Sequence, residues 1–200
     1  MPIYNIQNQN NLETNYSIGL LPQRNKENLW YKDSTCRSKL LNLILNSENR
    51  RILKKTQNFS FQTTNTFTYT LQIQKQCVAW TKKLNWNFPT SSIKNIFTKH
   101  IFNKVYIWKN QKKETVAYAI CLFTNNFSHI AYVFYNPEYR KSLLPIRLVI
   151  QAIKDSQKLR LKYCYLGRFS PKDNIGYYKR SLPNLEYFDY QNKKWIKYKK

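Results

Sequence analysis

The sequence predicts an α/β fold with a mixed, mostly antiparallel sheet flanked by helices, and three observations carry that expectation. Val105 and Ile107, then Val116, Tyr118, Ile120 and Leu122, then Ile130, Tyr132 and Phe134 alternate with their neighbours at period two. Such alternation marks strands, and the turn pairs Asn110-Gln111 and Asn125-Asn126 join them into an antiparallel meander. Next, Leu144, Leu148 and Ile150 to Ile153 fall on one helical face. Finally, residues 161–166 form a nearly continuous apolar run, the pattern of a strand buried on both faces.

The remaining elements follow from local chemistry. Residues 1–30 are rich in Asn and Gln without a clear period and read as a loose leader. Leu40, Leu41, Ile44 and Leu45 recur at helical spacing, and residues 47–55 continue as a basic helical turn capped by Ser47. Residues 59–70 alternate Phe, Thr and Tyr with Gln and Asn and read as extended chain. Ile73, Cys77, Trp80 and Leu84 share one face of an amphipathic helix, with Lys75, Lys82 and Lys83 outward. Thr90 or Ser91 caps a short helix reaching about His100. Asn136-Pro137 ends the third meander strand, because proline offers no amide to a ladder. Pro145 sits in the first turn of the helix at 142–158, where it is tolerated. Strand character returns around Leu185 to Phe188 and Trp195 to Tyr198. The expected division is a leader and small lobe at 1–70 and a main domain at 71–200.

With 42% hydrophobic and 16% aromatic residues, the 200-residue chain can bury a sizeable core. Its 34 Lys and Arg against 10 Asp and Glu give a net charge of +24, which points to a polyanionic partner. Arg50, Arg51, Lys54 and Lys55 on the early helix, with Lys82 and Lys83 on the next, are the candidate RNA-binding surface. No segment approaches the roughly 20 apolar residues needed to cross a bilayer. The first 23 residues lack Lys and Arg, unlike a secretory signal or an organelle presequence, so the expected location is the cytoplasm or the matrix of an organelle that encodes the chain. Cys36, Cys77, Cys121 and Cys164 are widely spaced, with only His100 and His129 to help, so no metal site is expected and the thiols read as reduced and structural. His129 itself reads as an ordinary strand residue.

Two of the three glycines, Gly167 and Gly176, lie near one another, so each is expected to have a backbone reason. Gly167 closes Tyr163-Cys164-Tyr165-Leu166-Gly167, and Tyr178-Lys179 follows eleven residues on. One helix upstream stands Phe134-Tyr135-Asn136-Pro137-Glu138-Tyr139. This order of segments resembles the C-terminal domain of the aminoacyl-tRNA–protein transferases, whose pattern reads roughly F-[YF]-[DN]-P-x-[YH]…Y-L-Y-L-G-Y…M-x-Y-K. The resemblance covers about residues 104–195 and departs from the pattern at Leu144-Pro145, at Arg168 (usually Tyr) and at Gly176 (usually Met).

The resemblance implies an acetyltransferase-like (GNAT-type) fold with a cleft where the sheet splays beside residues 161–167. It implies transfer of an amino acid from charged tRNA to the N-terminal amine of an acceptor protein; the expected partners are tRNA or other RNA and that acceptor, and, from the lack of a long apolar run, no membrane. On that reading Tyr178, Lys179 and Asp173 are the catalytic candidates, and Gly167, Tyr165, Arg168 and Arg180 the substrate-binding ones. No cofactor is expected: residues 140–145 hold no glycine and include Pro145, unlike the glycine-rich loop with which acetyl-CoA users hold pyrophosphate. The alternative is a non-catalytic RNA-binding protein of the same fold, such as a ribosome-associated component.

Overall fold

The computed structural model describes residues 3–5, 12–24, 26, 29–98 and 101–199. In chain order the elements are β1 (Ile3–Asn5), α1 (Leu12–Ser17), β2 (Leu20–Pro22), β3 (Leu29–Lys32), β4 (Thr35–Lys39), α2 (Ser47–Lys55), β5 (Ser60–Thr64), α3 (Leu71–Lys83) and α4 (Thr90–Thr98). The second half continues with β6 (Lys104–Lys109), β7 (Thr115–Phe123), β8 (Phe127–Tyr135), α5 (Leu144–Lys158), β9 (Tyr163–Arg168), β10 (Leu185–Asp189) and β11 (Lys194–Lys197). Eight strands form one sheet in the order β11-β10-β4-β9-β8-β7-β6-β5, and β1-β3-β2 form a small second sheet. Among the described residues only the β8–β9 pair of the large sheet is parallel, with α5 as its crossover.

Alternation sorts the side chains of the meander onto two faces. Ala117, Ala119 and Cys121 of β7, with Tyr106 and Trp108 of β6, pack under α5 and α2. Tyr118, Ile120 and Val105 point the other way, against Cys77 and Trp80 of α3 and Ile93 and Ile96 of α4. The face of α3 predicted from Cys77 and Trp80 is therefore the buried one. Thr70 Oγ1 caps α3 by accepting from the Ile73 amide at 3.3 Å.

Three expectations are corrected. Residues 40–45 are not helical: Leu40 and Leu43 are buried while Leu41 and Ile44 are exposed. The Leu40 amide is tied to Lys162 O, a continuation of the β4–β9 pairing that leaves no room for a helix start. Asn46, not Ser47, caps α2, its Oδ1 accepting from the Asn49 amide at 2.9 Å. The leader is not loose where it is described, because Tyr16, Leu20 and Trp30 form an aromatic cluster with Phe127 and Tyr165. The polar residues around these few large side chains hid their packing from composition. Residues 1, 2, 6–11, 25, 27 and 28 of the leader, and His100 at the end of the α4 prediction, lie outside the described residues.

From the N-terminal 70 residues, β5 forms one edge of the large sheet and β4 lies within it, between β9 and β10. Arg37 holds β4 there. Its Nε donates to Glu186 Oε2 of β10 at 2.8 Å, and its guanidinium lies over the rings of Tyr163 and Trp195 at 3.6 and 4.1 Å.

Candidate active site

β8 and β9 pair only through Phe127↔Tyr163, Ser128↔Cys164 and His129↔Tyr165, and then part. An irregularity lies on each side of the parting. Ile120 pairs with Tyr132 and Cys121 with Ile130, so Ala131 is an extra residue in β8. Cys36 pairs with Gly167 and Arg37 with Tyr165, so Leu166 is extra in β9. A bulge bends and twists its strand, and two of them just past the last shared rung re-aim β8 and β9 away from each other. The result is a fork whose base is the His129–Tyr165 rung and whose β9 prong is Leu166, Gly167 and Arg168.

Parting leaves β9 with carbonyls that β8 no longer serves. Gly167 O faces β4, where it accepts from Thr35 Oγ1 at 3.4 Å and Cys36 Sγ at 3.6 Å. Leu166 O and Arg168 O face the fork, and Lys179 Nζ donates to both at 2.6 Å. Lys179 thus takes the place of the missing strand on that edge, with 6% of its surface exposed. An ammonium has three N–H donors, and two are spent on these carbonyls.

The loop that delivers Lys179 is built from short-range bonds. Asp173 Oδ1 accepts from the Ile175 amide at 2.8 Å, and Ser170 N donates to Ile175 O at 3.0 Å. Gly176 then turns the chain at φ +64°, where an added Cβ would stand 2.5 Å from Arg168 O, so only glycine fits. A 3-10 turn at Tyr177–Ser181 follows and carries Tyr178 and Lys179. Arg180 staples the loop by donating to Asp173 O at 2.9 Å and Pro171 O at 3.5 Å.

The fork gathers part of the predicted set. Gly167, at φ +73°, forms its floor and is half-buried. Lys179 is at its wall, and Tyr178 lies beside it, 41% exposed, with its ring centre 5.6 Å from Lys179 Nζ. Asp173 is on the surface of the loop. Tyr165 and Arg168 are committed elsewhere: the Tyr165 hydroxyl accepts from Arg37 Nη1 at 3.3 Å within the leader's aromatic cluster, and Arg168 pairs with Asp33 at 2.5 Å.

His129, read from the sequence as an ordinary strand residue, stands at the base of the fork. Its Nδ1 is 2.7 Å from the hydroxyl of Tyr16, and its Nε2 is 4.0 Å from the point where a Gly167 Cβ would be. Burial pushes the Tyr16 phenol well above its ordinary pKa. One histidine in an alternating strand carries no signal of its own; only the splay and the placement of α1 reveal it.

The basic residues do not form one surface. Arg50, Arg51, Lys54 and Lys55 on α2 are exposed on the α5 side of the sheet, whereas Lys82 and Lys83 end α3 on the opposite side. Arg51 is also held by Glu48 at 2.6 Å. Arg51 and Lys55 instead join Lys141 and Ser142 around a cavity of about 540 Å³ beside the entrance to α5. The four cysteines are free and buried, and burial pushes the Cys36 and Cys77 thiols up to about 12 and Cys164 to about 11. Among the described residues no three His, Cys, Asp or Glu side chains are grouped to hold a metal, and no helix is long and apolar enough to cross a membrane.

Comparison with known proteins adds the family context. The family model for the arginine-tRNA-protein transferase C terminus matches residues 53–189. Among solved structures, L-PGS from Bacillus licheniformis superposes with a TM-score of 0.54 at 10% identity, covering 86% of this chain and 54% of that one. The C-terminal DUF2156 domain of a lysylphosphatidylglycerol synthetase candidate from Agrobacterium fabrum gives 0.52 at 13% identity, covering 83% and 54%. A GCN5-related glucosamine N-acetyltransferase region of a fungal multi-domain GH3 β-N-acetylglucosaminidase gives 0.51 at 10% identity, covering 90% and 22%. The chain therefore has the GCN5-like acyltransferase fold, and it spans about half the length of the first two structures. No curated protein sequence matches it.

Proposed function

The chain belongs to the arginine-tRNA–protein transferase C-terminal family, a family of aminoacyl-tRNA-using transferases, and from that premise we propose that it moves an amino acid from charged tRNA to the N-terminal amine of an acceptor protein. The observation that carries the reading is the fork itself, where a buried ammonium and a glycine floor meet at a point half open to solvent.

In this reaction the amine nitrogen bonds to the ester carbonyl carbon, the carbon–ribose oxygen bond breaks, and the proton lost by the amine ends on the ribose oxygen. An α-amine has a pKa of about 7.7–8.0, so a good fraction is neutral near pH 7 and no strong base is required. Catalysis then rests on proximity and on stabilising the charge that builds on the carbonyl oxygen. Lys179 is suited to stabilising that charge, because Leu166 O and Arg168 O fix its position and its third N–H remains for the substrate oxygen. Exposed Tyr177 and Tyr178 offer rings on which the terminal base of the tRNA can stack. Asp173, on the same loop, is the candidate to meet the incoming amine, with Oδ2 left by the bond that Oδ1 accepts from the Ile175 amide.

The test is transfer of a radiolabelled amino acid from a charged tRNA pool to a peptide with a free N-terminus. Wild type is expected to transfer, Lys179→Met to lose about 10²-fold in kcat, and Tyr178→Ala to raise the KM for aminoacyl-tRNA. Absence of transfer with every charged tRNA, together with tight RNA binding, would overturn this reading in favour of a non-catalytic RNA-binding protein.

A further inference from the structure

We propose that His129 is a second hydrogen-bond donor at the fork, its Nε2–H directed with Lys179 at the carbonyl oxygen of the aminoacyl ester, and that Tyr16 sets the tautomer that makes it a donor. The inference deepens the transferase reading and rests on it for the identity of the ester.

Three observations support it. Tyr16 is wholly buried, and a buried hydroxyl must place its proton on an acceptor. Its partner is His129 Nδ1 at 2.7 Å, and burial keeps the phenol protonated. A neutral imidazole that accepts at Nδ1 carries its hydrogen on Nε2. Next, the point where a Gly167 Cβ would stand is 4.0 Å from His129 Nε2 and 4.0 Å from Lys179 Nζ. Two nitrogens from unrelated parts of the chain therefore flank one spot that only glycine keeps open. Finally, His129 is 3% and Lys179 6% exposed, whereas Gly167 between them is half-buried. An oxygen arriving over Gly167 leaves water and meets both donors in a low-dielectric setting, where such bonds act most strongly on developing charge.

As the amine attacks, the carbonyl π pair moves onto this oxygen, and it returns when the ribose oxygen departs. His129 keeps its proton throughout and only shares it. Tyr16 is a positioning residue: it brings α1 over the fork and fixes which ring nitrogen bears hydrogen.

The chain has two histidines, His100 and His129, so ¹⁵N-histidine labelling with His129→Gln for assignment reports on His129 alone. The expected spectrum is the Nε2–H tautomer in wild type and a mixture in Tyr16→Phe. In transfer assays His129→Leu is expected to lower kcat about 10²-fold with KM for aminoacyl-tRNA little changed. His129→Gln, whose amide nitrogen reaches the place of Nε2, is expected to recover most of that loss, and Tyr16→Phe to fall between.

A binding arm uses an aminoacyl amide of 3′-amino-3′-deoxyadenosine, which cannot be hydrolysed like the ester, and it is expected to move the His129 Nε2 resonance. A wild type that binds this analogue with that shift but transfers nothing overturns the transferase reading and supports this one. An Nδ1–H tautomer in wild type, failure of the analogue to bind, a bound analogue that leaves the His129 resonance unmoved, or His129→Gln as inactive as His129→Leu overturns the present inference.

Discussion

At the scale of single residues, Gly167 and Gly176 separate chemistry from architecture. Both have positive φ, but a methyl at Gly176 would meet the Arg168 carbonyl at 2.5 Å, whereas at Gly167 the nearest atoms are 4.0 Å away. Gly176→Ala is therefore expected to cost about 2 kcal/mol or more, because strain and a backbone clash add. Gly167→Ala is expected to cost only about 1 kcal/mol from its left-handed backbone, yet to depress transfer sharply by filling the space between His129 and Lys179. Urea denaturation and the transfer assay on the two variants check this contrast. Both glycines and Lys179 were legible in the sequence, since glycine is scarce and the Tyr-Lys pair stands at the spacing the resemblance requires. His129 and Tyr16 were not, because each needs a partner more than a hundred residues away to acquire a role. Arg168 and Arg180 read as anion ligands, but the fold employs them on Asp33 and on the carbonyls of their own loop.

At the scale of elements, β4 is the strand the sequence concealed. Thr35, Arg37 and Ser38 are buried although polar, so the run has no apolar alternation to reveal it. Their burial is possible because each is satisfied, Ser38 by Pro183 O at 2.9 Å and Arg37 by Glu186. Arg37→Ala would leave Glu186 uncompensated at a site 16% exposed, and it is expected to cost about 3–5 kcal/mol. The pair Arg37→Ala with Glu186→Gln should be less destabilised than the two single changes added together, which a double-mutant cycle in urea measures. By contrast, β6 to β9 and α5 were legible, because alternation, turn pairs and the early proline all agree with the structure. The strand order was not, since no local pattern says that residues 35–39 insert between β9 and β10.

At the scale of the whole molecule, charge and sheet organise one another. The +24 is spread over both sides of the sheet rather than gathered on one helix pair. Contact with a folded polyanion must then engage one side at a time, with α2, Lys141 and the α5 entrance on one and the end of α3 on the other. Binding to tRNA is expected to weaken by roughly tenfold or more between 50 and 200 mM salt, as counterion release at several phosphates requires. A flat response in a filter-binding titration would count against phosphate contact. Removing Arg51 and Lys55 together is expected to reduce that slope more than removing Lys82 and Lys83, because the former line the basic cavity.

The ammonium of Lys179 is held by two peptide carbonyls, and among the described residues no carboxylate lies within ion-pairing distance of it. Its charge thus faces the fork with carbonyl dipoles, and no carboxylate, against it. On the proposed reading, an acceptor terminus that arrives protonated would be repelled and one that has already shed its proton admitted, so the site would screen nucleophiles by charge before any bond is made.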